Sequence, residues 1–166
     1  MESERLIIRW MLPEDEDAFV EGTADKELRV NYGLPAEMDT DFARRIFQRF
    51  CAVSNSYSIV EKDTGTMVGF MLDVPPELPE DIMGMLPEKG RTLTYATFTP
   101  YQRRGYMYEA LQAVTSYRLE KMDYIHCGHY EENIPSRNLL RKLGFREFST
   151  HKFAGRDVID EVLLRK

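Results

Sequence analysis

The stretch Tyr101-Gln102-Arg103-Arg104-Gly105-Tyr106-Met107-Tyr108-Glu109-Ala110 decides how this chain folds. Residues 91–98 before it read as a β-strand, and residues 106–121 after its first half read as a helix. The glycine and the two arginines therefore lie in a strand-to-helix turn, where the first N–H groups of the helix lack intrahelical partners. These N–H groups and the helix dipole favour a bound anion, and Gly105 lets the backbone approach a phosphate closely. The turn therefore predicts a pyrophosphate site, and an ordinary turn with solvated arginines is the alternative.

A second motif follows further along the chain. Asn133-Ile134-Pro135-Ser136 comes after another strand-like run, residues 124–130. It begins a short helix that closes with Arg141-Lys142-Leu143-Gly144-Phe145. Either motif alone is a weak signal, but their order and separation together are far more specific.

Composition limits the class of protein. The chain has 166 residues, of which 43% are hydrophobic and 30% charged, as in an ordinary globular domain. No apolar run approaches the roughly 20 residues of a membrane span. The formal net charge of −6 argues against nucleic acid as a partner and mildly favours a cationic substrate such as an amine. The acidic first residues lack the apolar region of a signal peptide, so we expect a cytoplasmic protein.

The cysteines, Cys51 and Cys127, are too few for a disulfide framework. We expect both to be small buried side chains in a reducing compartment. A nucleophilic Cys127 is the alternative, because His126 and His129 flank it.

The hydrophobic periodicity predicts one α+β domain over residues 1–166, with a mainly antiparallel central sheet of about six to seven strands and helices on both faces. Strands are expected at residues 5–10, 57–61, 67–73, 91–98, 124–130, 146–153 and 158–164. Helices are expected at 13–24, from Asp39 or Thr40 through Val53, at 106–121 and after Asn133, with a loop at 31–35. Residues 74–90 contain four prolines and are expected to be irregular, as a flap beside a substrate or as a long hairpin tip.

This order of elements and the two motifs resemble the GNAT acyltransferases, whose cofactor is acetyl-CoA. Arg5-Leu6-Ile7-Ile8-Arg9, with Pro13 and Asp15, is similar to the branch that acetylates protein N-terminal amines, such as those of ribosomal proteins, and includes relatives acting on small amines. Residues 102–107 match the family pattern Gln/Arg-x-x-Gly-x-Gly/Ala except at Met107, which must turn away or weaken cofactor binding. Met107 could also mark a different acyl-CoA.

The resemblance implies a role for each matching position. Backbone groups of Tyr95, Ala96 and Thr97 would bind the pantetheine arm of acetyl-CoA, and an N–H there could stabilise the tetrahedral oxyanion. The turn would hold the pyrophosphate through Gln102, Arg103, Arg104, Gly105, Tyr106, Met107 and Tyr108. Asn133 would hydrogen-bond the pantetheine arm, and Ser136 would lie near the sulfur and protonate the leaving thiolate.

A general base is harder to assign. The glutamate that some members carry on strand four is absent, with Thr92 at that place, and the tyrosine acid of others would fall at Leu140. His129 is the base candidate, and a structural, hydrogen-bonded histidine is its alternative. Glu131 and Glu132 are further candidates, although solvated loop charges are the simpler interpretation.

The resemblance implies an acetyl-CoA-dependent N-acetyltransferase that transfers the acetyl group directly to a primary amine, on a small molecule or a protein N-terminus. The expected partners are acetyl-CoA and the amine, with no metal, nucleic acid or membrane, and a homodimer through the final strands is compatible with the pattern. Two alternatives stay open at this point. One is an acyl-CoA-binding protein of the same fold with weak or no turnover, and the other is an interaction domain that does not bind CoA.

Overall fold

A computed structural model describes residues 1–52 and 55–166, and in these residues seven strands form one mixed sheet. The strands are β1 (Leu6–Trp10), β2 (Ser56–Glu61), β3 (Met67–Val74), β4 (Gly90–Thr97), β5 (Tyr124–Tyr130), β6 (Arg146–Phe153) and β7 (Arg156–Leu164), in the order β1-β2-β3-β4-β5-β7-β6. The pairs β1–β2, β2–β3, β5–β7 and β6–β7 are antiparallel, and β4–β5 is parallel. The predicted mainly antiparallel α+β sheet is confirmed.

The helices lie between these strands in the order that the sequence predicts, with two additions. They are α1 (Glu16–Gly22), α2 (Lys26–Tyr32), α3 (Thr40–Ala52), α4 (Glu80–Met83), α5 (Tyr106–Leu119) and α6 (Ile134–Lys142), with 3-10 turns at Pro13–Asp15 and Thr99–Tyr101. The predicted end of the second helix, Val53, lies outside the described residues.

The chain contains two compact units. The first unit comprises Met1–Asp73 and Tyr95–Ala113, and the second comprises Val74–Thr94 and Val114–Lys166. Across the described ranges, no helix combines the length and the apolar character that a membrane crossing requires.

Aromatic side chains form the centre of the first unit. The ring of Phe70 on β3 lies 5.2 Å from Phe19 of α1 and 5.7 Å from Phe50 of α3, measured between centroids. Phe98, just after β4, lies 6.2 Å from Phe70, and Phe47 packs on Phe19 at 5.4 Å. These offset and tilted arrangements suit aromatic rings, so this cluster fixes α1 and α3 on one face of the strands.

Helices cover both faces of the strands in the first unit. Alternate residues of a strand point to opposite faces. Ser58 of β2 donates a hydrogen bond to Asp15 on one face, at 2.6 Å. Glu61, three residues later, points to the other face and accepts a hydrogen bond from the hydroxyl of Tyr106 on α5. The predicted arrangement of helices on both faces is therefore confirmed.

The second unit is built on the hairpin of β6 and β7. Its turn contains Ala154 and Gly155, with φ of 50° and 79°, the left-handed pair that a two-residue hairpin turn favours. β7 pairs with β5 over seven residues, with Asp160 opposite Gly128. On the other side of β7, Ser149 is opposite Asp160.

Three sequence expectations differ from the structure. The predicted loop at residues 31–35 overlaps α2, which begins at an N-cap, Asp25, and ends at Gly33 with φ of 94°. One helical turn, α4, lies inside the stretch 74–90 that was expected to be irregular, and it buries Ile82. Cys51 is exposed rather than buried, whereas Cys127 is buried as expected.

Candidate functional site

The predicted anion turn lies at the start of α5, in the first unit. Arg103 and Gly105 both have left-handed φ, 63° and 80°. This geometry turns the chain sharply between the 3-10 turn and α5, and residues 102–105 are exposed. Gln102 donates a side-chain hydrogen bond at 3.1 Å to the carbonyl of Thr97, which joins the turn to the end of β4. The two arginines and the backbone of the turn before α5 are therefore presented to solvent, as an anion site requires.

Arg5, the residue just before β1, contacts this turn. Its guanidinium donates to the backbone carbonyl of Arg104 at 3.0 Å and to the carboxylate of Glu109 at 2.8 Å. It also lies over the ring of Tyr106, 4.7 Å from the centroid. Glu109 accepts two more hydrogen bonds, from the Ser3 hydroxyl and from the backbone N–H of Arg5, each 2.7 Å long. Arg5 and Glu109 thus fix the position of the turn.

The carboxylate of Glu109 stays ionised in this position. Partial burial alone would raise its pKa, but hydrogen bonds from the Arg5 backbone, Ser3 and the Arg5 guanidinium outweigh the burial and lower the pKa. Its stabilising effect is present above the unfolded pKa of a glutamate, about 4.3. The effect is lost as the pH falls through the lower pKa of the folded protein.

Replacing Glu109 with glutamine is expected to lower the free energy of unfolding at pH 7 by about 1–2 kcal/mol. The amide cannot match the carboxylate in accepting from Arg5 and Ser3 together, and solvent around Arg5 limits the loss. Urea unfolding measures the difference, which should shrink as the pH falls below about 4. Glu27→Gln, on an exposed position of α2, is the control and should be neutral. A neutral Glu109→Gln would contradict this support of the turn.

Met107 turns away from the anion turn. Its side chain is 6% exposed, and it lies in the core. This burial matches the expectation that the Met107 side chain turns away, and the effect of Met107 on cofactor binding stays a prediction. The exposed positions of the turn are residues 102–105, and Met107 does not obstruct them.

The strand residues predicted to bind the pantetheine arm lie at the end of β4. Tyr95 and Thr97 are partly buried and Ala96 is buried. The carbonyl oxygen of Ala96 would be 2.3 Å from a Cβ at position 69, so only Gly69 fits beneath it. Gly69 therefore lets β3 approach this end of β4 closely.

The second predicted motif caps α6, in the second unit. The side-chain oxygen of Asn133 accepts a hydrogen bond at 3.2 Å from the backbone N–H of Ser136. Pro135 occupies an early helical position, where its missing N–H has no cost. Gly144, with φ of 91°, follows the end of the helix. Asn133 and Ser136 are thus brought together at the N-terminus of α6.

His129, the base predicted from the sequence, is buried on β5 with both ring nitrogens occupied. Nδ1 donates to the carbonyl of Tyr130 at 2.9 Å, and Nε2 lies 2.9 Å from a carboxylate oxygen of Glu161. The side chains of His129 and Glu161 are each 1% exposed. These contacts match the structural alternative for His129, and its catalytic role stays a prediction.

A second histidine on β5 belongs to a polar cluster that sequence reasoning missed. His126 lies 2.9 Å from the hydroxyl of Thr92 through Nδ1 and 3.0 Å from Asp160 through Nε2. The other oxygen of Asp160 accepts from Ser149 at 2.7 Å and from Nδ1 of His151 at 2.8 Å. These residues come together through the pairing registers of β4, β5, β7 and β6. Their spacing along the chain therefore does not predict the cluster. The group made up of Thr92, His126, Ser149, His151 and Asp160 is called the Asp160 cluster.

The carboxylate of Asp160 is ionised although it is fully buried. Burial raises its pKa, but the hydrogen bonds from His126, Ser149 and His151 outweigh the burial and hold the pKa below the usual value. Since an ionised carboxylate only accepts, Nε2 of His126 donates to it. In the neutral imidazole, Nδ1 of His126 then carries the lone pair and the Thr92 hydroxyl donates to it.

Cys127 does not serve as a nucleophile in this arrangement. It is fully buried on β5, and burial, with the nearby Glu161 charge, raises the pKa of its thiol far above the ordinary value. A thiol that does not ionise is a poor nucleophile. Cys127 is therefore a packing residue.

Solved structures share this fold over nearly the whole chain. A GNAT-family acetyltransferase from Bacillus anthracis is 20% identical with a TM-score of 0.84, covering 99% of this chain and 98% of its own. The spermidine N-acetyltransferase from Vibrio cholerae, in complex with CoA and spermine, is 11% identical with a TM-score of 0.77, covering 97% and 96%. The ribosomal-protein-S5-alanine acetyltransferase from Vibrio fischeri is 14% identical with a TM-score of 0.74, covering 99% and 96%.

At these identities the structural likeness shows the fold. No curated protein matches the chain in sequence. The sequence does match the family model described as the acetyltransferase (GNAT) domain, over residues 5–146. That match includes the anion turn at the start of α5 and the cap of α6, and the chain therefore belongs to the GNAT family of acetyltransferases.

Proposed function

We propose that this protein is an acetyl-CoA-dependent N-acetyltransferase that transfers an acetyl group directly to a primary amine. The observation that carries the proposal is the exposed turn at the start of α5, with left-handed Arg103 and Gly105, in a chain of the GNAT family. The exposed backbone and arginines of this turn suit the pyrophosphate of a CoA thioester. The enzyme would work where acetyl-CoA is made and used, in the cytoplasm.

Two parts of the cofactor, its pyrophosphate and its pantetheine arm, would be bound by different residues. The residues of the turn would bind its pyrophosphate: Gln102, Arg103, Arg104, Gly105, Tyr106, Met107 and Tyr108, the last three through their backbone. Tyr95, Ala96 and Thr97 would offer backbone groups to the pantetheine arm, and the amide N–H₂ of Asn133 would donate to it while its oxygen caps α6. Arg5, held beside Gly105 and paired with Glu109, would keep the turn in position.

The reaction needs a neutral amine and a protonated leaving group. Ser136, in the first turn of α6, would give a proton to the CoA thiolate. His129 would act as the base only if its Nε2 left the carboxylate of Glu161. We therefore assign the proton transfer at sulfur to Ser136 more firmly than the base role to His129. Much of the rate would come from holding the amine and the thioester together, which contributes roughly 7–11 kcal/mol in favourable cases.

An amine acceptor fits the charge of the chain and the activities of its structural neighbours. The net charge is −6, which favours a cationic partner in solution. Two neighbours act, by their names, on spermidine and on an alanine of ribosomal protein S5. The acceptor class proposed here is therefore a primary amine that is cationic at neutral pH.

Mass spectrometry of a reaction with acetyl-CoA tests this function. The protein is incubated with a panel of primary amines that contains polyamines, amino acids and peptides with different N-terminal residues. We expect at least one amine to gain an acetyl group in step with release of free CoA. Acetyl-CoA binding without acetylation of any member of the panel would favour the acyl-CoA-binding alternative.

A further inference from the structure

The Asp160 cluster lies on the face of β5, β7 and β6 that is opposite to α6. Asp160 pairs with Gly128, so the two residues share a face, whereas Leu163 of β7 points to the other. A Cβ at Gly144, at the end of α6, would lie 3.7 Å from Leu163, so α6 contacts that other face.

Gly128 exposes the backbone of β5 beside the cluster. It is an exposed residue, while its neighbours Cys127 and His129 are buried. A Cβ at position 128 would lie 3.3 Å from Cγ1 of Val158, 3.7 Å from a carboxylate oxygen of Asp160 and 3.8 Å from Cε1 of His126. The imidazole and the carboxylate therefore lie close to this exposed part of the strand, beside the side chain of Val158.

Three members of the cluster form a hydroxyl–imidazole–carboxylate chain, the arrangement of a proton-accepting triad. Thr92, His126 and Asp160 are joined by contacts of 2.9 Å and 3.0 Å. Asp160 fixes the tautomer of His126 and can stabilise the imidazolium that forms when Nδ1 takes a proton. The hydroxyl of Thr92 donates to that nitrogen, and its own lone pairs can accept from a ligand N–H.

Resting on the function proposed above, we propose that Thr92, backed by His126 and Asp160, removes the proton from the acceptor ammonium. Thr92 touches the acceptor, and His126 and Asp160 act through it as positioning residues. Thr92 precedes Tyr95 on the same strand, β4, whose end is assigned to the pantetheine arm. His151 lies on β6, two strands beyond β5, and is the competing candidate.

The proton balance is closed. The ammonium gives one proton to the oxygen of Thr92 while the hydroxyl proton of Thr92 passes to Nδ1 of His126, which leaves a neutral amine and an imidazolium facing Asp160. The amine nitrogen then forms a bond to the thioester carbonyl carbon, and the carbon–sulfur bond breaks. The thiolate is protonated, the amide nitrogen loses its extra proton, and His126 returns its proton to solvent. The products are the acetylated amine, CoA and one proton.

Several titratable or charged groups share this face with His126. Its ring nitrogens face Thr92 from β4 and Asp160 from β7. The other titratable or charged groups on this face of β5, β6 and β7 are Tyr124, Tyr130, Arg146, His151 and Arg156, with the guanidinium of Arg156 over the ring of Tyr130. The negative charge nearest to the His126 ring is Asp160.

Thr92→Val tests the proposal, with Thr92→Ser as the conservative variant. Valine keeps the shape and removes the hydroxyl, so we expect kcat/KM for the best amine of the panel to fall about 100-fold at pH 7. Serine should restore most of it. The defect of the valine variant should shrink as the pH approaches about 10, because the free amine then forms in solution. A variant that merely folds poorly would not recover in this way.

Three results would overturn the proposal while leaving the N-acetyltransferase function intact. They are full activity of Thr92→Val, loss of activity that high pH does not restore, and a larger, pH-reversible loss in His151→Gln. Thr150→Val, at an exposed threonine of β6, is the matched control and should behave as the wild type. Acetyl-CoA binding by Thr92→Val should be unchanged. A wild type that acetylates no amine would overturn the proposed function itself, and this base with it.

Discussion

Gly105→Trp is expected to abolish the thermal stabilisation that acetyl-CoA gives to the wild-type protein. Gly105 has φ of 80° in the exposed turn, and a Cβ there would already lie 3.4 Å from the guanidinium of Arg5. An indole at this position would cover the N–H groups of the turn and displace Arg5. At a ligand concentration of 100 times Kd the wild type gains about 2.7 kcal/mol, which appears as a rise in Tm of several degrees. The variant should show no rise.

Gly65→Trp is the matched control for this experiment. Gly65 also has a left-handed φ, 68°, and belongs to the same unit, in the turn between β2 and β3. A Cβ there meets nothing within 4 Å. Both variants therefore carry similar backbone strain, but Gly65→Trp should keep the full response to acetyl-CoA. An equal response from the two variants would contradict the assignment of the turn.

Phe70→Ala is expected to cause the largest loss of stability, about 3–5 kcal/mol. Phe70 is fully buried, and four rings surround it, of which Tyr32 at 4.9 Å and Phe19 at 5.2 Å are the nearest. Its removal leaves a cavity that α1 and α3 cannot close without moving. Urea unfolding measures the loss.

Phe153→Ala provides the comparison for the Phe70 variant. Phe153 lies at the end of β6 and is 56% exposed, so its removal should change the free energy of unfolding by about 0.5 kcal/mol or less. A loss from Phe70→Ala as small as this would mean that the aromatic cluster does not hold the first unit together.

Much of the fold follows from the sequence because its turns carry strong local signals. β5 and β6 have the predicted boundaries, residues 124–130 and 146–153, because glycine, proline and charged turn residues flank them. α2 was missed because Gly33 and Pro35 suggest a loop, whereas Gly33 in fact ends a helix that Asp25 caps. The signal was present in that Asp–Gly pair, seven residues of helix apart.

The candidate site likewise contains local features, which the sequence can predict, and long-range contacts, which it cannot. The turn before α5 and the cap of α6 are local, so the turn at Arg103 and Gly105 and the helix start at Asn133 could be predicted from the sequence. The cofactor roles of these residues stay predictions. Arg5 and Glu109 meet across 104 positions of the chain, and this contact depends on the sheet. The Asp160 cluster depends on the register of four strands, which the hydrophobic pattern does not determine.

Calorimetric titration of the wild-type protein with acetyl-CoA tests the central claim most directly, because every proposed role depends on a bound thioester. We expect saturable binding of one acetyl-CoA per chain in the micromolar range, with weaker binding as salt screens the arginines of the turn. An absence of any heat of binding at millimolar acetyl-CoA would contradict the proposed function. The chain would then have a GNAT fold that does not bind the cofactor.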